Sequence, residues 1–306
     1  MIMKDLFSFI AVTLGRRYKL KHKKTFVNYV SNEFDSIGYK TKIDDQTSKV
    51  KRLINLFVGD IKSAKTIIVV GYDTPAAGIR ITKDYYPFDH QRNKKSAHKN
   101  LIAQSVLATL LFALIPLMVY FWWHPAGTAV RIFIVLLGLI ILACMYYVGG
   151  GSGNPVNFNR NSAALTIAME IARKDKNKKT AFAFIDKTCS GYDGYKAMLS
   201  RLGQDEANHD FVLLDCVGHG EITQALCTPK AAAGLGVLQN LPGVTHRTDE
   251  QLYPINFFSS CVQISGGFPD PESGVVVKNT GTVLDTVVDM EYMEGILKIV
   301  KKCASG

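Results

Sequence analysis

Residues that could hold a metal ion or act as a nucleophile are concentrated in one part of the chain. His209, Asp215, Cys216 and His219 follow one another along a short apolar run and its exit, and Cys189 follows an earlier run. Imidazole, thiolate and carboxylate groups are common zinc ligands, so a metal site is one hypothesis. Against it, consecutive strand residues face opposite sides, so Asp215 and Cys216 do not readily serve one ion. A second hypothesis, a Cys189 nucleophile with His219 as its base, lacks a recognisable motif.

The elements that must position these residues alternate between helix-like and strand-like patterns. Amphipathic patterns predict helices at 25–37, 162–173, 194–202 and 291–300. Runs rich in apolar and β-branched residues predict strands at 39–43, 53–58, 66–70, 180–185 and 211–214. Several of these runs lack alternation, which indicates strands buried on both faces of a parallel sheet. The sequence therefore predicts an α/β fold, a three-layer sandwich with a mostly parallel central sheet.

Two long apolar segments, 101–123 and 130–148, lie almost back to back in the middle of the chain. About 20 apolar helical residues cross a hydrocarbon core about 30 Å thick, so each segment is long enough to span a bilayer. Trp122, Trp123, Tyr146 and Tyr147 lie at segment ends, where interfacial aromatic residues are common. The alternative is a pair of buried helices in a large soluble core. We predict a transmembrane hairpin at 101–148, with the α/β domain divided into parts at 1–100 and 149–306.

Basic residues indicate how the hairpin is oriented. Arg92, Lys94, Lys95 and Lys99 precede the first segment, whereas the link at 124–129 has no Lys or Arg. Cationic loops near membrane helices tend to stay in the cytoplasm, so we predict a two-span protein of the cell membrane with both termini cytoplasmic. The apolar stretch 6–14 is too short to span, and its basic cluster follows it, unlike a cleavable signal peptide.

Composition favours a lipid partner over nucleic acid. The 306-residue chain carries a net charge of +10, spread without an interleaved aromatic motif, which indicates attraction to the anionic surface of a lipid bilayer. The lysine-rich run 21–24 is interpreted as the solvated face of a helix. Six cysteines occur without CxxC spacing, and Cys144 lies inside a predicted span. Reduced thiols fit this pattern better than a disulfide framework.

Several fragments outside the hairpin carry a family resemblance. They are 55–60 (NLFVGD), 66–74 (TIIVVGYDT), 153–172 (GNPVNFNRNSAALTIAMEIA), 180–195 (TAFAFIDKTCSGYDGY), 210–221 (DFVLLDCVGHGE), 267–269 (GFP) and the endings within 279–289. In this order they resemble the strand ends and loops of the M28 family of zinc aminopeptidases. The resemblance implies an α/β domain with two metals at the carboxyl ends of its central strands.

The same resemblance implies that most of the side chains of a two-zinc site are missing. Such a site uses imidazole and carboxylate ligands, a bridging carboxylate and a carboxylate base. The matching positions without a suitable side chain are Gly71 and Asn279 for the histidines, Arg160 for the bridging aspartate, and Thr188 and Cys189 for the paired glutamates. Asp215, at a ligand position, and Asp73, which orients the first histidine in the family, are retained. We expect no catalytic residue, metal or cofactor at this site.

Arg160 suggests how the lost positive charge is replaced. A buried carboxylate without a cation is costly, so our hypothesis is that Arg160 occupies the former metal space and pairs with Asp215 or Asp73. In the alternative, Arg160 points into solvent from a loop.

The position of the hairpin connects this pocket with the membrane. The hairpin interrupts the chain between Asp73 and Arg160, and ligands of open α/β sheets bind at the carboxyl ends of strands, so the pocket is expected to face the bilayer. The predicted function is a membrane-anchored, catalytically inactive peptidase-like protein that binds a peptide or an integral membrane protein through the former cleft. The alternatives are a membrane-bound metallo-aminopeptidase with a rearranged metal site and a structural subunit whose own side chains fill the cleft. Peptide recognition rests on fold analogy.

Overall fold

A mixed sheet with a parallel centre organises the protein. The computed structural model describes residues 2–48, 52–123, 127–149, 151–175, 179–189, 191–234, 244–248 and 254–305. The strands within these ranges are β1 (Thr41–Asp45), β2 (Ile54–Val58), β3 (Thr66–Gly71), β4 (Thr180–Ile185), β5 (Asp210–Asp215), β6 (Ile222–Cys227), β7 (Val244–Thr248), β8 (Cys261–Asp270) and β9 (Gly274–Val276).

The strand order is β1-β2-β4-β3-β5-β8-β6-β7, with β9 paired to β8. β4, β3, β5 and β8 run parallel, in a register that places Gly71 beside Ile185 and Asp215 beside Ser265. β1, β2 and β6 add antiparallel pairs around this centre. The predicted mostly parallel sheet is confirmed, and its carboxyl ends gather the chain segments that follow β3, β4 and β5 at one edge.

Helices cover both faces of the sheet and complete three layers. They are α1 (Met3–Ser8), α2 (Leu20–Ser36), α3 (His90–Trp123), α4 (Thr128–Val148), α5 (Ala163–Lys174), α6 (Asp193–Leu202), α7 (Pro229–Gly234) and α8 (Met290–Ser305). α1, α2, α5 and α8 pack on one face, and α6 packs on the other. Alternation along β3 serves both cores: Ile68 and Val70 face the first, whereas Ile67 and Val69 face the second.

The amino-terminal apolar stretch belongs to the hydrophobic core of the α/β domain. Leu6 and Ile10 are fully buried against α2 and α5 side chains, and the chain continues from α1 into a π-helical turn, Phe9–Thr13. Burial of each such side chain stabilises the fold by about 2 kcal/mol. The stretch is therefore a packing element of the domain.

Two helices are long and apolar enough to cross a membrane, α3 and α4. None of the residues in the most apolar window of α3 is buried, which distinguishes it from a core helix. α3 begins at His90, well before the apolar segment predicted from the sequence. The reason is that its polar first turns pack against the preceding loop, where the buried Asn100 accepts hydrogen bonds from the amides of Ile81 and Thr82 at 2.9 Å.

Candidate functional site

The candidate site lies at the carboxyl ends of β3, β4 and β5 and is almost completely filled. The cavity that remains is about 20 Å³, room for about one water molecule. We call it the closed site, and its central lining residues are Gly71, Tyr85, Arg160, Thr188 and Asp215. Tyr85 comes from residues 74–89, the segment between β3 and α3, which we call the strap.

Asp73 follows β3 and is held by the turn that leaves β4. Its Oδ1 accepts hydrogen bonds from the Thr188 hydroxyl at 2.6 Å and the Thr188 amide at 2.8 Å, and its Oδ2 accepts one from the Cys189 amide at 3.2 Å. Asp73 is 4% exposed, so these bonds replace its hydration. The Asp73 carboxylate therefore fixes the β4 turn and does not pair with Arg160.

Thr188 occupies the space next to Gly71. A Cβ atom placed on Gly71 would lie 2.3 Å from the Thr188 Oγ1 and 3.0 Å from its Cβ and Cγ2. Carbon and oxygen atoms do not approach to 2.3 Å without displacement, and Thr188 cannot turn away without losing its bond to Asp73. The backbone at position 71 thus accommodates glycine, and a histidine there would not fit this packing.

Arg160 reaches the closed site from a π-helical turn, Phe158–Ser162. Its guanidinium lies 4.1 Å above the Tyr85 ring, and its Nε is 3.8 Å from the Asp215 Oδ1, an ionic contact too long for a hydrogen bond. The Tyr85 hydroxyl donates to the other Asp215 oxygen at 2.8 Å. The Arg160 side chain is only 13% exposed, so it lies in the cleft and faces Asp215, as one form of the hypothesis predicts.

The Cys189 thiol is poorly suited to act as a nucleophile. Burial raises the pKa of Cys189 to about 12, so the thiol stays protonated at neutral pH. Its Sγ lies 3.4 Å from the Asp73 carbonyl oxygen. The thiolate is the reactive form of cysteine, so this environment disfavours covalent chemistry.

The remaining sequence candidates do not converge on one point. His209 lies before the amino end of β5, where its Nδ1 contacts the Ala64 carbonyl oxygen at 2.7 Å, while Asp215 ends the same strand. The His219 ring packs against Phe268 at 5.6 Å. Asn279 lines a separate groove beside α3. Among the described residues, no three His, Cys, Asp or Glu side chains are grouped to hold a metal ion, so the rebuilt metal site has no structural support.

Arg17, a buried cation next to the closed site, is not among the candidates predicted from the sequence. It is completely buried, and its guanidinium donates to the carbonyl oxygens of Tyr72 at 2.5 Å and Leu14 at 2.8 Å and to the Ser162 hydroxyl at 3.1 Å. Burial lowers the pKa of Arg17 to about 10, which leaves it charged at neutral pH. Arg17 thus places a fixed positive charge behind Asp73.

Lys23 corrects the interpretation of residues 21–24 as a solvated helix face. Its Nζ lies 2.5 Å from the Asp186 Oδ1, and the two side chains are 6% and 0% exposed. The second oxygen of Asp186 accepts from the Ile54 amide at 3.2 Å. Burial raises the pKa of Asp186, and the Asp73 charge raises it further. Lys23 is the cation that makes this buried carboxylate tolerable.

The strap closes the site and continues directly into α3. Tyr85 pairs with Val277 through two backbone hydrogen bonds of 2.9 and 2.8 Å, and the Ala77 amide donates to the Ser152 carbonyl oxygen after α4 at 2.8 Å. The Tyr192 hydroxyl lies 2.8 Å from the His90 Nδ1 at the start of α3. The strap is therefore bonded to the segment that follows α4 and to Val277, and it leads directly into α3.

These residues do not fit a pair of zinc ions. Thr188 fills the space that a ligand at position 71 would need, and a guanidinium faces the retained Asp215. A cation placed beside Arg160 would be repelled, and most of the required imidazole and carboxylate donors are absent from the closed site. That these positions correspond to former metal ligands stays a prediction from the resemblance.

Comparison with known proteins identifies the fold. The sequence matches no protein-family model and no curated protein sequence. Among solved structures, the chain is similar to a Zn-dependent exopeptidase from Parabacteroides distasonis, with 13% identity and a TM-score of 0.56 over 99% of this chain and 97% of that chain. It is also similar to a glutaminyl cyclase from Porphyromonas gingivalis, with 12% identity and a TM-score of 0.58 over 99% of this chain and 97% of that chain. A third similar structure is the LapA aminopeptidase of Legionella pneumophila, with 11% identity and a TM-score of 0.53 over 99% of this chain and 69% of that chain. The protein therefore has a zinc-aminopeptidase-like α/β fold, and at these identities the similarity shows the fold alone.

Proposed function

We propose that the protein is a membrane-anchored, catalytically inactive member of this peptidase-like fold that acts by binding a partner. The observation that carries the proposal is the packing of Thr188 against Gly71, with Arg160 facing Asp215 in a cavity of about 20 Å³. A hydrolase of the predicted type needs room for substrate, for an activated water and for the groups that activate it. The closed site has room for about one water molecule and none for a substrate, and it lacks most of the groups that would activate the water.

The hairpin supplies the anchor in this proposal. α3 and α4 each suit a membrane crossing, and the basic residues in the first turns of α3, before its apolar segment, contrast with a link free of Lys and Arg, so both ends of the chain lie in the cytoplasm. The strap and the segment after α4 both lead from the closed site into the hairpin, and this connection supports an arrangement in which that side of the domain faces the cell membrane.

The partner is an integral membrane protein or a peptide. A peptide would enter the former cleft only if the strap moved, because Tyr85 and Arg160 fill that space. An integral membrane protein needs no such change, since it can contact α3, α4 and the rim of the closed site directly. The geometry therefore favours the membrane-protein partner, with the peptide as the second outcome of the tests below.

Metal content and peptidase activity test the absence of catalysis. The full chain, purified in detergent without chelators, is expected to bind zinc at far below one ion per protein and to release no amino acid from a peptide library. The matched variant is Asp215→Asn, which removes the retained carboxylate. Bound zinc and chelator-sensitive activity that both disappear in Asp215→Asn would establish the alternative, a metallo-aminopeptidase with a rearranged metal site.

Reporter fusions test the anchor and its orientation. Fluorescent and alkaline-phosphatase reporters fused to either terminus are expected to give the cytoplasmic pattern, and the chain is expected to stay with membranes during alkaline extraction. A variant in which residues 101–148 are replaced by a short polar linker should become extractable. If alkaline treatment extracts the unchanged protein, the chain is not anchored in the membrane. The binding role would be supported if an integral membrane protein copurifies with the unchanged chain and not with the variant that lacks residues 101–148.

A further inference from the structure

A basic groove lies between the strap and the first turns of α3, outside the closed site. Its volume is about 610 Å³, and its cationic lining residues are Lys83, Arg92, Lys95 and Lys99. Neighbouring strap residues divide between the two sites: Tyr85 faces the closed site, whereas Asp84 and Tyr86 line the basic groove. The groove is therefore a separate, open surface.

The charges of the basic groove are not balanced within the protein. Arg92 is neutralised, because its Nη1 lies 2.7 Å from an Asp270 oxygen and 3.3 Å from a Glu272 oxygen. Lys83, Lys95 and Lys99 are exposed, and in the part of the chain that the structure describes none of them forms a salt bridge. The four cations of the groove thus face three carboxylates, the lining residues Asp84 and Glu272 and the neighbouring Asp270, and the groove keeps a net charge of +1.

Helix geometry places these lysines next to the hydrocarbon boundary. The apolar part of α3 starts at Leu101, so Lys99 lies about 3 Å and Lys95 about 9 Å before it along the helix axis, at 1.5 Å per residue. The headgroup layer on each side of the hydrocarbon core is roughly 5 to 8 Å thick. A lysine side chain attached at these depths can reach lipid phosphates.

Exposed apolar side chains in the strap and in the loop before α8 point to the same surface. Ile81 in the strap is 60% exposed, and Val283 and Val287 in the loop before α8 are each 56% exposed. The strap is bonded to the hairpin, because the Gln104 side-chain amide donates to the Ile79 carbonyl oxygen at 3.0 Å. The loop before α8 is bonded to the segment that follows α4, because the Asn154 side-chain amide donates to the Thr282 carbonyl oxygen at 3.0 Å. Exposed apolar side chains together with lysines on one surface, such as Ile81 in the groove lining, are typical of a surface that contacts a bilayer.

We propose that the basic groove binds the phosphate group of an anionic lipid headgroup. The inference rests on the proposed membrane anchor. Lys83, Lys95 and Lys99 supply ammonium donors to the phosphate, and the exposed Ile81 side chain in the same lining contacts the lipid chains. A lysine near an anionic membrane surface contributes roughly a fivefold gain in binding, so three lysines contribute on the order of a hundredfold.

Thermal unfolding of the full chain in a zwitterionic detergent at low salt tests the groove. The probes are short-chain phosphatidylglycerol, short-chain phosphatidylcholine and inorganic phosphate. Phosphatidylglycerol is expected to raise Tm in a concentration-dependent way, and phosphatidylcholine is not. In the variant carrying Lys83→Gln, Lys95→Gln and Lys99→Gln, the apparent affinity for phosphatidylglycerol should fall on the order of a hundredfold.

A second basic groove provides the matched control. It also measures about 610 Å³, is lined by Lys65, Lys179 and Lys301, and lies at the amino ends of β3 and β4, away from the hairpin. Substituting these three lysines by Gln removes the same charge and is expected to leave the phosphatidylglycerol shift unchanged.

Three results would overturn the assignment. The Lys83, Lys95 and Lys99 variant could keep the full shift, the control variant could lose it, or inorganic phosphate could reproduce it, which would identify a free-phosphate site. Failure of the membrane anchor is scored separately by alkaline extraction, because the thermal shift is measured in detergent and does not depend on insertion.

Discussion

The closed site and the basic groove lie on two sides of one strap and treat charge in opposite ways. In the closed site, Arg160 faces Asp215 and the cavity measures about 20 Å³. In the basic groove, about 610 Å³ is open and three lysines have no salt bridge among the described residues. Buried charges must be compensated by the protein itself, whereas exposed charges are free to meet a ligand. The difference shows that the closed site compensates its charges within the protein, whereas the basic groove leaves its lysines exposed to solvent.

Lys23→Met is expected to give the largest effect, because the Lys23–Asp186 ion pair is the most deeply buried example of a charge that the protein compensates itself. Asp186 would keep its burial and lose its cation, so the free energy of unfolding should fall by about 3 to 5 kcal/mol. Denaturant unfolding in detergent measures the loss. Adding Asp186→Asn removes the stranded charge and should recover part of the stability.

Lys24→Met is the control for the same helix. Lys24 forms an exposed ion pair with Asp45 at 3.1 Å, and exposed pairs contribute about 1 kcal/mol or less. Equal losses for Lys23→Met and Lys24→Met would show that the buried pair has no special role.

The sequence contains enough information for the five neighbouring strands β1 to β5 but not for β6 to β9, which complete the other side of the sheet. β3, β4 and β5 are short apolar runs bounded by turn residues, and such runs are recognisable without a structure. β8 contains Gly266, Gly267 and Pro269, residue types that usually mark a break in a strand, so it was not predicted. Its pairing with β5 depends on contacts that no local pattern records.

The site residues show the same limit in another form. Arg160 was found because the resemblance placed it at a position that normally carries an acid. Arg17 and Lys23 were missed because they lie in a stretch rich in basic residues, which locally predicts solvent exposure. Lys23 is buried only because Asp186, 163 positions away in sequence, meets it in the folded chain. Such a pairing is a tertiary property.

Gly71→Ala sharpens the claim that packing excludes a ligand side chain from the closed site. The added Cβ would displace Thr188 and weaken its bond to Asp73, so a loss of about 2 to 3 kcal/mol is expected in the free energy of unfolding. In a Thr188→Ala background the additional loss should be smaller, because the clashing hydroxyl and methyl groups are gone.

Gly295→Ala is the matched control, since Gly295 lies in α8 and no atom outside the surrounding helix backbone lies within 4 Å of an added Cβ. This change should be neutral or stabilising by up to about 1 kcal/mol. A Gly71→Ala protein as stable as the unchanged chain would mean that the space at position 71 is open.

Arg160→Ala tests the charge replacement directly. Its removal leaves Asp215 with the Tyr85 hydroxyl but without a cation and opens space above the Tyr85 ring, so a loss of roughly 2 kcal/mol is expected. Thermal unfolding measures it, with the exposed Arg16→Ala as the control for loss of one positive charge. An unchanged Tm would mean that the contact between Arg160 and Asp215 does not stabilise the fold. The proposed difference in charge compensation between the closed site and the basic groove would then be weaker.

Asp285→Asn is expected to give the smallest effect and the opposite sign. Burial raises the pKa of Asp285 to about 6, and its Oδ1 accepts the Asn159 amide at 3.1 Å. A carboxyl whose folded pKa is raised adds stability below its ordinary pKa and loses that contribution as pH rises through the folded value. Asparagine carries no charge, so the variant should be more stable than the unchanged protein by roughly 1 to 2 kcal/mol above pH 6 and no more stable below about pH 4. Tm measured across this range checks the sign, with the exposed Asp193→Asn as the control for loss of one carboxylate. A difference for Asp285→Asn that does not vary with pH would show that the buried side of the comparison tolerates an uncompensated carboxylate, contrary to the pairing seen at Asp186 and Asp215.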